Sequence, residues 1–252
     1  MPRSGRRKSK NGIYHIVLRG INRQTIFEEE DDSIKFLETL KNYKEKSGYK
    51  IYGYCLMGNH IHLLIKEEKE DLGIIMRRIG ASYVYWYNLK YDRYGHLFQD
   101  RYKSEVVEDE SYFLTVLRYI HQNPIKAGMV PDVGSYKWSS YIEYIGKKEI
   151  VDTDFILGLF SRDRKKALES FEAFHRISND ERCLDISENK RLTDKIAIEI
   201  IKSKCRVNCC SEIQSMGKNQ RDRYLKLLKE EGLSTRQIAR LTSISRGIVL
   251  KA

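Results

Sequence analysis

No stretch of this 252-residue chain is apolar for long enough to span a bilayer, and no apolar core follows its basic start. Neither a membrane anchor nor a secretory leader is expected. Cysteine is sparse as well. Cys55, Cys183, Cys205, Cys209 and Cys210 form an odd set without a regular framework, which argues against a disulfide-stapled domain and for a reduced, cytoplasmic protein. Cys205, Cys209 and Cys210 lack a paired CxxC and a partnering histidine, so they are not read as a zinc site. Acidic residues are missing from the start: MPRSGRRKSK carries five basic residues and no Asp or Glu.

What the chain does carry is positive charge. Lys and Arg number 46 against 35 acidic residues, a net of +11. That excess favours a polyanionic partner, nucleic acid before any other. The tail, residues 1–10, is expected to be disordered when free and to grip a phosphate backbone. The length allows one or two domains with a proper core.

Local patterning then sets the elements. IYHIVLRG (13–20) alternates as a strand, and DDSIKFLETLKNYKEKSG (31–48) is an amphipathic helix capped by Asp31 or Asp32 and ended by Gly48. YKIYGYCLM (49–57) and HIHLLIK (60–66) form a hairpin about Gly58 and Asn59. A Tyr- and Arg-rich helix follows from Leu72 to Leu89, then a strand over 98–109 and a helix from Glu110. The order predicts an α+β fold: a ferredoxin-like antiparallel sheet with helices on one face. No strand signal follows residue 162, so the rest is expected to be helical.

The sharpest chemical signal is YCLMGNHIHLLI (54–65), where His60 and His62 flank Ile61. In a strand both imidazoles point to one face, able to chelate one ion, while Ile61, Leu63 and Ile65 face a core. A structural pair bonded to buried backbone reads equally well from this motif alone. In ESYFLTVLRYIHQNPIKAG (110–128), Tyr119 and Asn123 are one helical turn apart, and the helix is expected to stop where Pro124 restricts Asn123. A phenol, two imidazoles and an amide oxygen are the parts needed to cut a phosphodiester through a covalent phosphotyrosine. On spacing alone, Tyr119 reads more readily as a packing residue.

At the other end, RDRYLKLLKEEGLSTRQIARLTSISRGIVLKA (221–252) has helix-turn-helix spacing: a helix to Glu231, a Ser234 cap, a short helix, a turn, and a last helix from Ser245. Arg236, Arg240, Arg246 and Lys251 favour DNA as its partner.

Five blocks in order, YHIVLRGINRQTIF, YCLMGNHIHLLI, GHLFQDRYKS, LRYIHQNPIKAG and YKWSSY, give the chain its resemblance to the REP-associated tyrosine transposases, a branch of the HUH-type single-tyrosine transposases. The SRG-type final helix resembles, more weakly, the DNA-binding extension of longer members. Many relatives have proline where Gly58 stands, a change in turn stiffness that removes no reactive group.

The resemblance implies an HUH endonuclease core at 11–150, a helical connection at 151–190 and a helical DNA-binding region at 191–252. It makes Tyr119 the nucleophile and His60, His62 and Asn123 the ligands of a divalent metal, Mg or Mn. It implies cutting and rejoining of single-stranded, hairpin-forming repeat DNA by a monomer, with a dimer as the alternative. A cytoplasmic, nucleoid-associated setting goes with such a partner. Arg19, Arg23, Arg77, Arg78, Arg101 and Lys103 are candidate phosphate contacts, and Tyr83, Tyr85, Trp86 and Tyr87 are weaker candidates for base stacking. His15, His96 and His121 are expected in structural or supporting places. Two alternatives stand beside this reading: a hairpin-binding protein that does not cut, and a metal hydrolase using water, with Tyr119 as mere packing.

Overall fold

The computed structural model describes residues 6–177, 183–184 and 194–252, and the chain divides into two units, 1–186 and 187–252. In the first, β1 (Ile13–Arg19), α1 (Glu30–Ser47), β2 (Lys50–Met57), β3 (His60–Lys66), α2 (Leu72–Lys90), β4 (Lys103–Val106) and α3 (Glu110–Lys126) follow one another. The strands pair antiparallel in the order β2-β3-β1-β4, the arrangement a ferredoxin-like sheet requires.

The two faces divide by strand alternation. Ile16, Leu18, Ile61, Leu63 and Ile65 bury one face, where α1 and α2 pack together. Phe36 of α1 meets Tyr83 of α2 edge-on, ring centroids 5.1 Å apart. Each such fully buried side chain contributes roughly 1.5–3 kcal/mol of hydrophobic stabilisation. Helix α3 takes the other face, against β2 and β3. Gly53 permits the close approach: a Cβ there would lie 2.8 Å from Leu117 Cδ1.

The local chemistry differs from the sequence expectation in four places. The cap of α1 is Glu29, and Asp32 acts from within the first turn, accepting from the Glu28 and Glu29 amides at 2.7 and 2.9 Å. β4 covers only four residues, because the chain before it makes a single bridge, Phe98 to Gly20. Helix α3 runs through Pro124 to Lys126. Proline removes one amide, and the Ala127 amide closes the last turn on the Asn123 carbonyl at 2.9 Å. Lastly, residues 6–10 do not hang free: Arg6 stacks 3.7 Å over Tyr102 and donates to its carbonyl, and Arg7 pairs with Glu108 at 3.0 Å. The remainder of the tail, residues 1–5, lies outside the described residues.

Residues 141–177, which include most of the stretch expected as a helical connection, belong to the first unit. They form α4 (Tyr141–Ile145), α5 (Thr153–Phe160) and α6 (Arg164–Arg176). Buried polar groups fasten them. Glu143 accepts from the amides of Glu149, Ile150 and Val151 and from the Tyr54 hydroxyl at 2.7–3.0 Å. A chain of hydrogen bonds runs from Ser140 to His121 (2.7 Å), to His175 (2.9 Å), to the Phe171 carbonyl (2.9 Å), tying α3 to α6. Every polar atom in that chain has its partner, so it is a structural core.

In the second unit, α7 (Asp194–Cys205), α8 (Glu212–Ser215), α9 (Lys218–Glu230), α10 (Thr235–Thr242) and α11 (Arg246–Lys251) enclose Ile201, Leu225, Leu228, Ile238 and Val249. Ser234 caps α10, accepting from the Gln237 amide at 3.2 Å. Among the described residues no helix is long and apolar enough to cross a membrane.

Candidate active site

The register of the sheet assembles the site. On the face under α3, directly paired residues form three rows: Met57–His60–Arg19, then Cys55–His62–Val17–Lys103, then Gly53–Leu64–His15–Glu105. His60 and His62 therefore stand side by side, ring centroids 5.1 Å apart. Helix α3 brings Tyr119 edge-on to both His62 (5.7 Å) and His15 (5.9 Å).

The ring protons can be assigned from the hydrogen bonds. Asn59 donates through Nδ2 to the Arg23 carbonyl at 3.4 Å, which turns its Oδ1 to His60 Nδ1, 2.6 Å away. An amide oxygen only accepts, so His60 carries a proton on Nδ1, and in the neutral ring the lone pair is on Nε2. His62 Nδ1 lies 3.0 Å from His15 Nε2, and both rings are fully buried. Burial pushes His15 down to about 3. Burial, and then the facing His15 and His60, hold His62 well below the ordinary imidazole range. Both rings are neutral at neutral pH.

His62 Nε2 is buried and has no hydrogen-bond partner among the described residues. A divalent ion would satisfy that nitrogen, and two imidazoles side by side on one strand face fit such an ion. Among the described residues no three His, Cys, Asp or Glu side chains gather to hold a metal. Asn123 is half-buried one turn beyond Tyr119. Its Nδ2 donates to the Tyr119 carbonyl at 3.0 Å, leaving Oδ1 outside that bond. The neighbouring Gln122 is committed elsewhere, to the His175 and Ile177 carbonyls at 2.8 Å.

The cationic candidates separate by location. Arg19 is cross-strand from His60, Lys103 shares a row with His62, and Arg23 and Arg101 are exposed on the loops flanking that end of the sheet. The loop 96–101 lies against Arg19 and Ile21 through backbone bonds of 2.8 and 2.9 Å, and Val84, Leu97, Phe98 and Arg101 line a cleft there. Arg77 is exposed on α2, on the far side of the sheet. Arg78 is engaged by Glu70 (2.5 Å) and Ser47 (3.0 Å), so it braces α2.

Of the four aromatic candidates, Tyr83 and Tyr87 are core residues, Trp86 is half-buried, and only Tyr85 is well exposed. In the second unit Arg236 and Arg246 are exposed, whereas Arg240 forks onto Asp194 at 2.5 and 2.6 Å. A groove lined by Arg206, Arg223 and Lys226 adds cations there that helix-turn-helix spacing does not point to.

One further cation bears on the chemistry. Lys126 Nζ lies 5.0 Å over the Tyr119 ring. The i, i+7 spacing on one helix is the sequence signal that would have found it.

Residues 8–123 match the family model described as "Transposase IS200 like". Among solved structures, the chain is similar to a REP-associated tyrosine transposase bound to a REP hairpin, with a TM-score of 0.52 and 16% identity over 73% of this chain and 100% of that one. A putative transposase from Deinococcus radiodurans is also similar, with a TM-score of 0.35 and 15% identity over 48% of this chain and 97% of that one. No curated protein sequence matches the chain.

Proposed function

We propose, from the match of residues 8–123 to the IS200-like transposase family model, that this protein is a single-tyrosine DNA endonuclease and strand transferase. The observation that carries the reading is the placement of Tyr119 edge-on to His62, within one domain and beside His60. The substrate is single-stranded DNA that folds into a hairpin; the solved REP-associated relative is bound to a REP hairpin.

A phosphodiester is already anionic and repels an oxyanion. His60 and His62 through Nε2, with Asn123 through Oδ1, would hold a divalent ion, Mg or Mn, which when bound supplies charge neutralisation at a non-bridging phosphate oxygen. The chain's own residues do the rest. Tyr119 Oη attacks phosphorus and its proton goes to solvent, with the Lys126 ammonium 5.0 Å over the ring. The P–O3′ bond breaks, leaving a 5′-phosphotyrosine and a free 3′-hydroxyl. Because the phosphotyrosine conserves the bond, a 3′-hydroxyl can attack it and rejoin DNA without ATP.

Arg19, Arg23, Arg101 and Lys103 lie where a single strand would pass the histidines, and the cleft by Phe98 offers a place for an unpaired base. The second unit, through Arg236, Arg246 and its basic groove, would grip the paired part of the substrate.

One observation favours the non-cutting reading: Tyr119 is only 6% exposed. Labelled hairpin DNA incubated with wild type and Tyr119→Phe, with Mn²⁺ or EDTA, separates the two on a denaturing gel. A covalent band that needs both the ion and the Tyr119 hydroxyl is expected. Binding without cutting, across several hairpins, would leave a DNA-binding protein; cutting by Tyr119→Phe without an adduct would indicate water as nucleophile.

A further inference from the structure

His62 can donate a lone pair from Nε2 only if its proton sits on Nδ1, and Nδ1 faces another histidine rather than a fixed acceptor. The direction of that bond is therefore set one residue further out. If His15 donates from Nε2, His62 carries its proton on Nε2 and offers no lone pair there. If His15 accepts, its own proton must sit on Nδ1.

Glu105 decides between the two. It is paired directly with His15 across β1 and β4, and its Oε2 lies 3.9 Å from His15 Nδ1. That nitrogen is buried and has no hydrogen-bond partner among the described residues. The carboxylate is held in place by the Leu184 amide at 3.0 Å and by a hydrogen bond with the Tyr112 hydroxyl. A lone pair facing an anion at this distance is repelled and an N–H is attracted, and the imidazole end of the pair is fully buried. The proton on His15 thus goes to Nδ1, its Nε2 accepts, and His62 donates.

We propose that His15, backed by Glu105, is a positioning residue that fixes His62 in the tautomer with a free Nε2 lone pair. No proton is gained or lost in this arrangement; two neutral rings share two protons in one order rather than the other. The relay Glu105, His15, His62 serves the same end as Asn59 does for His60, so both imidazoles present the same nitrogen. The inference rests on the reading of His60 and His62 as metal donors. Orienting partners of this kind typically change metal affinity by about 10–100-fold.

The test uses the full chain. Nitrogen-15 NMR of the imidazoles without metal is expected to show His62 protonated at Nδ1, and to show Nε2–H gaining population in Glu105→Leu. In Mn²⁺ titrations Glu105→Leu should bind about tenfold more weakly, while Glu105→Gln, which keeps an acceptor oxygen, retains most of the affinity. Glu105 is partly exposed, so these variants spare the core. Wild-type His62 protonated at Nε2 would overturn the proposal. Full affinity in Glu105→Leu beside lost binding in His62→Ala would overturn it alone, with the metal reading intact. A wild type that binds no Mn²⁺ would overturn both.

Discussion

His62 and Tyr119 meet edge to face at 5.7 Å, one from the middle of a sheet and the other from the helix laid across it. The phenol and the imidazole are thereby in direct ring contact, both buried, and neither can be moved without disturbing packing that the fold needs.

His60 is the donor that can be removed at least structural cost, because it is half-buried where His62 is fully buried. His60→Ala is expected to lose Mn²⁺ affinity and cutting by about 100-fold or more while the thermal midpoint moves little. Calorimetric titration with Mn²⁺, run beside a melting curve, checks both halves of the statement.

Gly53 sets the distance between α3 and the sheet. Gly53→Val forces its new Cβ and methyls against Leu117, two residues from Tyr119. We expect a loss of about 1–3 kcal/mol in stability from overpacking. Cutting should slow by about 10–100-fold in the fraction that remains folded, because the nucleophile is displaced. Urea unfolding and single-turnover cleavage measured on the same preparation separate the two effects.

Burial holds His175 down to about 4, against an ordinary value of 6.5. The unfolded chain therefore takes up this proton first. Above pH 6.5 the group contributes no pH dependence; as pH falls from 6.5 towards 4, stability drops by about 1.4 kcal/mol per unit, roughly 3 kcal/mol in all. Denaturant midpoints across this range should show the loss. His175→Gln should flatten the slope by one proton while lowering stability at neutral pH, since the partner of His121 Nδ1 is disturbed.

Arg240 and Arg246 should part company. Arg240 forks onto Asp194 from α10 to α7, so Arg240→Ala is expected to loosen the second unit. Arg246 is exposed at the start of the last helix, so Arg246→Ala should leave stability unchanged. It should weaken hairpin binding and reduce the dependence of log K on log salt by about one unit. Binding isotherms at several salt concentrations, with melting curves as the control, test the distinction.

The elements that local pattern specifies were legible. Alternation placed β1, β2 and β3 within a residue or so, and the 3.6-residue stripe of Phe36, Leu37 and Leu40 placed α1. The end of α3 was misread, because the rule for residues before proline describes a preference that neighbouring turns can outweigh. The shortness of β4 was hidden because its pairing depends on a bend before it. The pairing of His15 with His62 was beyond reach for a different reason: alternation tells which face a residue takes, while register between β1 and β3 decides whom it meets there. The same holds for the arginines. Composition showed that Arg78 and Arg240 were cationic, but their commitment to Glu70 and Asp194 depends on tertiary folding.

Because α3 lies across the sheet of its own unit, the phenol and the histidines come from one polypeptide. Such an arrangement has a molecularity of one. The rate of cutting per molecule should be the same in dilute and concentrated protein. Mixing a chain that lacks the Tyr119 hydroxyl with one that lacks the His62 ring should restore nothing, since each defective site is closed upon itself.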